Sequence, residues 1–241
     1  VTLSGRLHPS TTPSIRSVGV VGALPAGLAE LVDPPPQITV EFLPQPDRAS
    51  AEAIGPDLFQ CVDRVMTCKP AHLIMAMSIP TFWGGMAGAT ELLQRLKARA
   101  GVPVSLGSLA CAEALRKFPD VKNVGILTPY QPVGDAHVAR FFEENGWRVT
   151  AVHSLKRPSE VLIGHATTAD LVDGIRTLAA QGVDAIVQAG TDLAMTDIAA
   201  EAERWLGIPV IAINAATYWS ALRANGIADR FHGFGTLLEQ H

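Results

Sequence analysis

Short runs built mainly from Val, Ile and Leu recur along the chain, and almost every run is followed by a stretch whose apolar residues return at three- and four-residue intervals. Apolar runs this short read as strands buried on both faces, and the second spacing gives a helix one wet and one dry face. A strand that runs parallel to its predecessor needs a connection long enough to cross the sheet, which a helix supplies. The alternation therefore predicts an α/β chain of parallel sheets flanked by helices.

Residues 1–16 are polar and contain prolines, which predicts a loose tail. From Ser17, "SVGVVG" and "ITVEFLP" read as strands around the loop-like "DPPPQ". In "AEAIGPDLFQCVDRVMTCK", Leu58, Cys61, Val62 and Val65 share a helical face. There follow the strand "HLIMAMS", a helix near "GATELLQRLKARA", the strand "VPVSL" and the helix "SLACAEALRKF" closed by Pro119. The series then restarts, with strands "NVGILTPY", "RVTAVHSL", "DAIVQAG" and "IPVIAIN" separated by helices "GDAHVARFFEENG", "TADLVDGIRTLAAQG" and "DIAAEAERWLG", and a last helix "TYWSALRANG".

A weak internal repeat supports the restart. "GVPVSLGSLACAEALR" and "GIPVIAINAATYWSALR" share a glycine, a β-branched residue, Pro-Val and a terminal "ALR", and "VGVVG" and "VGILT" are offset by the same distance. Two matches at one offset favour a duplicated half over a single sheet. The expected lobes are residues 17–119 with 217–241, and residues 120–216.

The 48% hydrophobic content of 241 residues is enough to bury a large core or two joined ones. A formal charge of −4 with scattered Lys and Arg lacks the basic stripe of a nucleic-acid binder. No apolar run reaches the roughly 18 residues that span a bilayer, and the opening lacks a signal-peptide core, so a cytoplasmic protein is expected. Cys61, Cys68 and Cys111 match no zinc spacing, and buried free thiols are expected. Neither a dinucleotide fingerprint, a Walker loop nor a metal-spaced Asp/Glu/His cluster is present, so neither cofactor nor metal is expected.

Ligands of paired parallel sheets sit at the carboxyl ends of strands. That rule selects "GALPAG", "MSIPT", "TPYQP" and "GTDLAMT", which are rich in small or hydroxyl residues and precede helices whose N–H groups suit a carboxylate.

At these junctions the sequence resembles the aspartate/glutamate racemase superfamily, and within it the arylmalonate decarboxylase and maleate cis-trans isomerase branches. The resemblance rests on "VGILTPY", on "FWGG", on "DAIVQAGTDLAMTDIAAEAERWLGIPV" and on "YWSALR". It implies two pseudo-symmetric Rossmann-like lobes with the active site in the cleft between them. It also implies an isomerase or decarboxylase-like lyase acting on a small carboxylic or dicarboxylic acid through an enolate or ene-diolate. A homodimer is left open.

Members of the superfamily place a catalytic cysteine at a strand end in each lobe, and by position these fall at Met77 and Gly190 here. What the resemblance still implies is a carboxylate cradle from Ser78, Ile79, Tyr130, Thr191 and Asp192, with Ile79 giving only its N–H. Asp192 either points away from an anionic ligand or replaces the missing thiols as the base. Ser78 and Thr191 are equally readable as helix N-caps. Trp83 reads as a pocket wall or as packing between lobes. His153 and His165 are alternative proton carriers or ordinary loop polars, and His72 reads as a strand-boundary residue. Cys111 lies a full turn into its helix, which favours packing over a role as displaced nucleophile. A divergent protein that binds a small acid without turning it over is the second functional expectation.

Overall fold

The computed structural model describes residues 18–22, 38–42 and 54–241. The junction "GALPAG" past Gly22 and the polar tail lie outside these residues.

Strands β1 (Val18–Gly22), β2 (Ile38–Phe42), β3 (His72–Met75) and β4 (Val104–Leu106) form one sheet in the order β2-β1-β3-β4. Strands β5 (Asn123–Thr128), β6 (Arg148–Ser154), β7 (Ala185–Gln188) and β8 (Val210–Ala212) form a second, ordered β6-β5-β7-β8. Every strand pair is parallel. The two orders are the same when read from the first strand of each set, as a duplicated unit requires.

The helices are α1 (Ile54–Met66), α2 (Ile79–Phe82), α3 (Gly85–Ala100), α4 (Gly107–Leu115), α5 (Pro132–Glu144), α6 (Glu160–Ile163), α7 (Thr168–Ala179), α8 (Thr196–Leu206), α9 (Ile213–Ala224) and α10 (Thr236–Gln240). The sequence pattern did not reveal α2, α6 or α10, which are too short for a periodic face. The helix α9 starts at Ile213 instead of Thr217, running straight out of β8, and the expected lobe boundary before residue 217 falls inside it.

The repeated "GVP" and "GIP" have a physical role. Gly101 and Gly207 close α3 and α8 in the left-handed conformation, with φ of 68° and 70°, and donate to Lys97 and Glu203 carbonyls. The prolines forbid a further helical turn. Their carbonyls then accept from Leu73 at the start of β3 and Ile186 in β7, both at 2.9 Å.

One core joins β3 and β4 to α1 and α3 through Leu58, Val62, Val65, Leu73, Met75, Leu96 and Leu106. The larger core joins the second sheet to α5, α7, α8 and α9 and also takes in Phe82 of α2 and Ala110, Cys111 and Leu115 of α4. His72 is no mere boundary residue: it is buried, its Nε2 lies 2.9 Å from Ser105 Oγ in β4, and its Nδ1 lies 3.0 Å from Asn225 Nδ2 after α9. An amide NH2 only donates, so Nδ1 accepts and the ring is neutral. Burial, with Lys97 nearby, lowers its pKa to about 4.

Candidate functional site

Ser78 follows β3 and stands at the N-cap position of α2, but its side chain makes no cap bond. Its Oγ instead lies 2.5 Å from the Tyr130 hydroxyl and accepts the Thr191 backbone N–H at 3.2 Å. The tip of β3 in one sheet thus meets the tips of β5 and β7, adjacent strands of the other. Two hydroxyls carry two protons and their mutual bond uses one, so the pair retains a proton to donate elsewhere.

The Tyr130 turn is held from both sides. Thr128 Oγ1 accepts the Tyr130 N–H at 3.3 Å and donates to Asp135 in the first turn of α5. Ser154 Oγ, at the end of β6, donates to the Tyr130 carbonyl at 2.5 Å. Pro132 opens α5 with its fixed φ. Gly134 lets that helix lie against the turn: a Cβ there would stand 2.8 Å from Tyr130 Cβ and 3.3 Å from Ile79 Cδ1.

Burial pushes the Tyr130 phenol pKa up, the Ser78 hydrogen bond pulls it down, and the nearby Asp192, Asp135 and Cys111 push it further up. The phenol therefore stays protonated around neutrality and acts as a donor. It is too weak a base under those conditions to activate Ser78.

The turn after β7 has its own supports. Gln188 Nε2 donates to the Gly190 carbonyl at 2.7 Å, and Asn214 Nδ2, from the start of α9, donates to the Thr191 carbonyl at 2.8 Å. Gly190 sits at φ +124°, and a Cβ there would stand 2.6 Å from Pro129 Cδ. No side chain of any kind, a thiol included, fits without moving that turn. Thr191 is not an N-cap, since α8 begins at Thr196 after Met195.

The remaining candidates fall as follows. Met77 is half-buried and packs on the core of the first sheet. Ile79 is half-buried against the larger core. Asp192 is exposed beyond Thr191, and its charge reaches Tyr130. Trp83 is 39% exposed and stacks on His137 of α5 with ring centroids 3.9 Å apart, outside the hydrogen-bonded cluster. His153 lies in β6 against Gly174 of α7, and His165 is exposed between α6 and α7. Cys111 is buried in α4, and burial pushes its thiol up, which leaves it inert. Among the described residues no group of His, Cys, Asp and Glu is arranged to hold a metal ion, and no helix is long and apolar enough to cross a membrane.

Sequence reasoning missed Asp135, Ser154, Gln188 and Asn214. Ser154 and Asn214 sit at the tips of β6 and β8, so the strand-end rule that selected Tyr130 reaches them too. Gln188, the last residue of β7, falls under the same rule, whereas Asp135 carries no such mark, because it lies in α5 and acts on the Thr128 hydroxyl.

A family model described as arylmalonate decarboxylase matches residues 64–238. Arylmalonate decarboxylase of Bordetella bronchiseptica is 30% identical over 163 residues, covering 66% of this chain and 68% of its own. Maleate isomerase of Nocardia farcinica is 26% identical over 190 residues, covering 75% and 74%. Among solved structures, a Nocardia farcinica maleate cis-trans isomerase variant with a covalently bound succinylcysteine intermediate superposes at a TM-score of 0.81 and 21% identity, over 95% of this chain and 100% of that one. The last is a likeness of fold. Together these matches bear out the superfamily resemblance and the α/β architecture.

Proposed function

We propose, from the premise that the chain belongs to the arylmalonate decarboxylase family, that it is a cofactor-independent decarboxylase or isomerase acting on a small carboxylic or dicarboxylic acid. The observation that carries this reading is the Ser78–Tyr130 hydroxyl pair at 2.5 Å, with the Thr191 N–H on the same oxygen. A substrate carboxylate lies between the sheets and accepts from the pair's remaining hydroxyl proton and from the Ile79 N–H. When a bond at the α-carbon breaks, its electrons pass into that carboxylate, and donors already in place hold the growing negative charge.

Two routes reach this ene-diolate. In decarboxylation a second carboxylate leaves as carbon dioxide, and a proton is delivered to the α-carbon. In racemisation a base removes the α-proton and a proton returns on the other face. We assign the base to Asp192, whose charge reaches Tyr130. Tyr130, held neutral, donates to the oxyanion, and Trp83 shields the approach from the α5 side. With Met77 and Gly190 at the two thiol positions, proton transfer and decarboxylation are favoured over addition of sulfur to a double bond.

The test is proton NMR in deuterated water with phenylmalonate and maleate as probes. Carbon dioxide release, or deuterium at the α-carbon, is expected, and Asp192→Asn is expected to lower the rate about 100-fold or more while binding is kept or tightened by loss of the negative charge. Binding without turnover of any probe would favour the second reading, a small-acid-binding protein without catalysis. The observation behind that alternative is that Cys61 belongs to α1 and Cys68 follows it, while Cys111 is buried inside α4 with its thiol pushed up.

A further inference from the structure

Gln188 ends β7 and is buried, yet the mechanism above gives its side chain nothing to do. Its Nε2 donates to the Gly190 carbonyl at 2.7 Å. The same carbonyl accepts the Leu193 N–H at 3.2 Å. At the other edge of that peptide group stands the Thr191 N–H, which donates to Ser78 Oγ at 3.2 Å. The peptide between residues 190 and 191 is trans, so its C=O and N–H point in opposite directions. A hold on the Gly190 oxygen therefore aims the Thr191 N–H.

Gly190 itself does little to set the plane of this peptide. Its φ is +124°, and with no β-carbon its ψ is open over a wide range. Asn214 holds the next carbonyl along, that of Thr191, and leaves the 190–191 unit to Gln188 and Leu193. The orientation matters because the two edges of a peptide have opposite polarity. With the N–H toward Ser78, one acceptor site of that hydroxyl is filled by a donor and the spare proton of the Ser78–Tyr130 pair is left for a ligand. With the carbonyl edge turned that way, an oxygen would face an anion.

We propose that Gln188 is a positioning residue: by holding the Gly190 carbonyl it fixes the plane of the 190–191 peptide, so that the Thr191 N–H reaches Ser78 and orients the Ser78–Tyr130 pair toward the substrate carboxylate. The bonds run one way, from the Gln188 amide to Gly190 and from the Thr191 N–H to Ser78, and hydrogen bonds in series polarise one another. The amide does this without bringing a charge into the cleft. The proposal rests on the proposed function in taking the hydroxyl pair as the carboxylate donor, whereas the hold on the peptide needs no ligand.

The experiment labels glycine carbonyl carbons with carbon-13 and threonine amides with nitrogen-15. Only Gly190–Thr191 and Gly235–Thr236 join the two residue types, and Thr236→Ser removes the second signal. Gln188→Met keeps the length of the side chain and loses the donor. It is expected to move the Gly190 carbonyl signal upfield, to speed exchange of the Thr191 amide at least about tenfold, and to weaken phenylmalonate binding in calorimetry about fivefold or more. In a Ser78→Ala background the same change is expected to weaken binding less than about twofold, because the N–H no longer has that oxygen to orient. Gln188→Asn is one methylene too short to reach Gly190, and it gives the same readouts should the methionine variant not fold.

Parent-like Gly190 and Thr191 signals in the variant would overturn the proposal. So would an equal loss of binding with and without the Ser78 hydroxyl, which is what a merely structural side chain produces. If no probe binds the parent, the functional reading falls, and the carbonyl and amide signals still decide whether Gln188 sets the peptide.

Discussion

A proton count at Ser78 and Tyr130 decides what the cradle can offer. The pair donates one hydroxyl proton outward, and Tyr130→Phe leaves Ser78 to supply it without the bridging phenol. A hydrogen bond to a charged acceptor contributes roughly 1.5–3 kcal/mol, so Tyr130→Phe is expected to weaken phenylmalonate binding by about tenfold or more in calorimetry. An unchanged affinity would remove Tyr130 from the site. Gly190 makes the complementary point. Its φ of +124° and the nearness of Pro129 exclude a β-carbon, so Gly190→Ala is expected to lower stability by about 1–3 kcal/mol in urea unfolding. Gly190→Cys should suffer the same loss, and a variant of full stability would show that the turn adapts easily.

At the scale of elements, His72 ties β3 to β4 and to the end of α9 as a neutral ring. Its folded pKa of about 4 lies below the ordinary 6.5, so between those values the unfolded chain binds the extra proton. Stability from this group is complete above pH 6.5 and is lost as pH falls toward 4, by an amount of order 3 kcal/mol. Urea unfolding at pH 7 and at pH 4.5 is expected to show a larger acid-induced loss in the parent than in His72→Gln. Equal losses would mean that the buried ring is not the titrating group. The elements themselves were largely legible, because a Val/Ile run or a three-to-four spacing is a local property and Gly-Val-Pro and Gly-Ile-Pro mark helix ends wherever they sit. The short helices α2, α6 and α10 were not. Four or five residues make no periodic face, and contacts outside the segment hold them: Thr81 of α2 shares hydrogen bonds with Ser108 of α4.

On the scale of the whole molecule, the larger core does not stop at one sheet. Phe82 of α2 packs edge-on against Phe141 at 5.3 Å and near Phe142 at 6.0 Å, both on α5. Its replacement by alanine is expected to cost about 3–5 kcal/mol, and because α2 and α4 share the second sheet's core, thermal unfolding is expected as a single transition. Two separated transitions in calorimetry would show that the halves unfold independently. The sequence by itself determined the parallel α/β elements, their repetition, and which strand tips carry hydroxyl residues, because strand period, helix period and helix-end residues are written within a few positions of one another. Only the tertiary structure decided that Ser78 meets Tyr130 and the Thr191 N–H, that Ser154 grips the Tyr130 turn, and that Trp83 stacks on His137. Those contacts join residues far apart in the chain, and their geometry depends on how two separately patterned sheets pack, which no local spacing encodes.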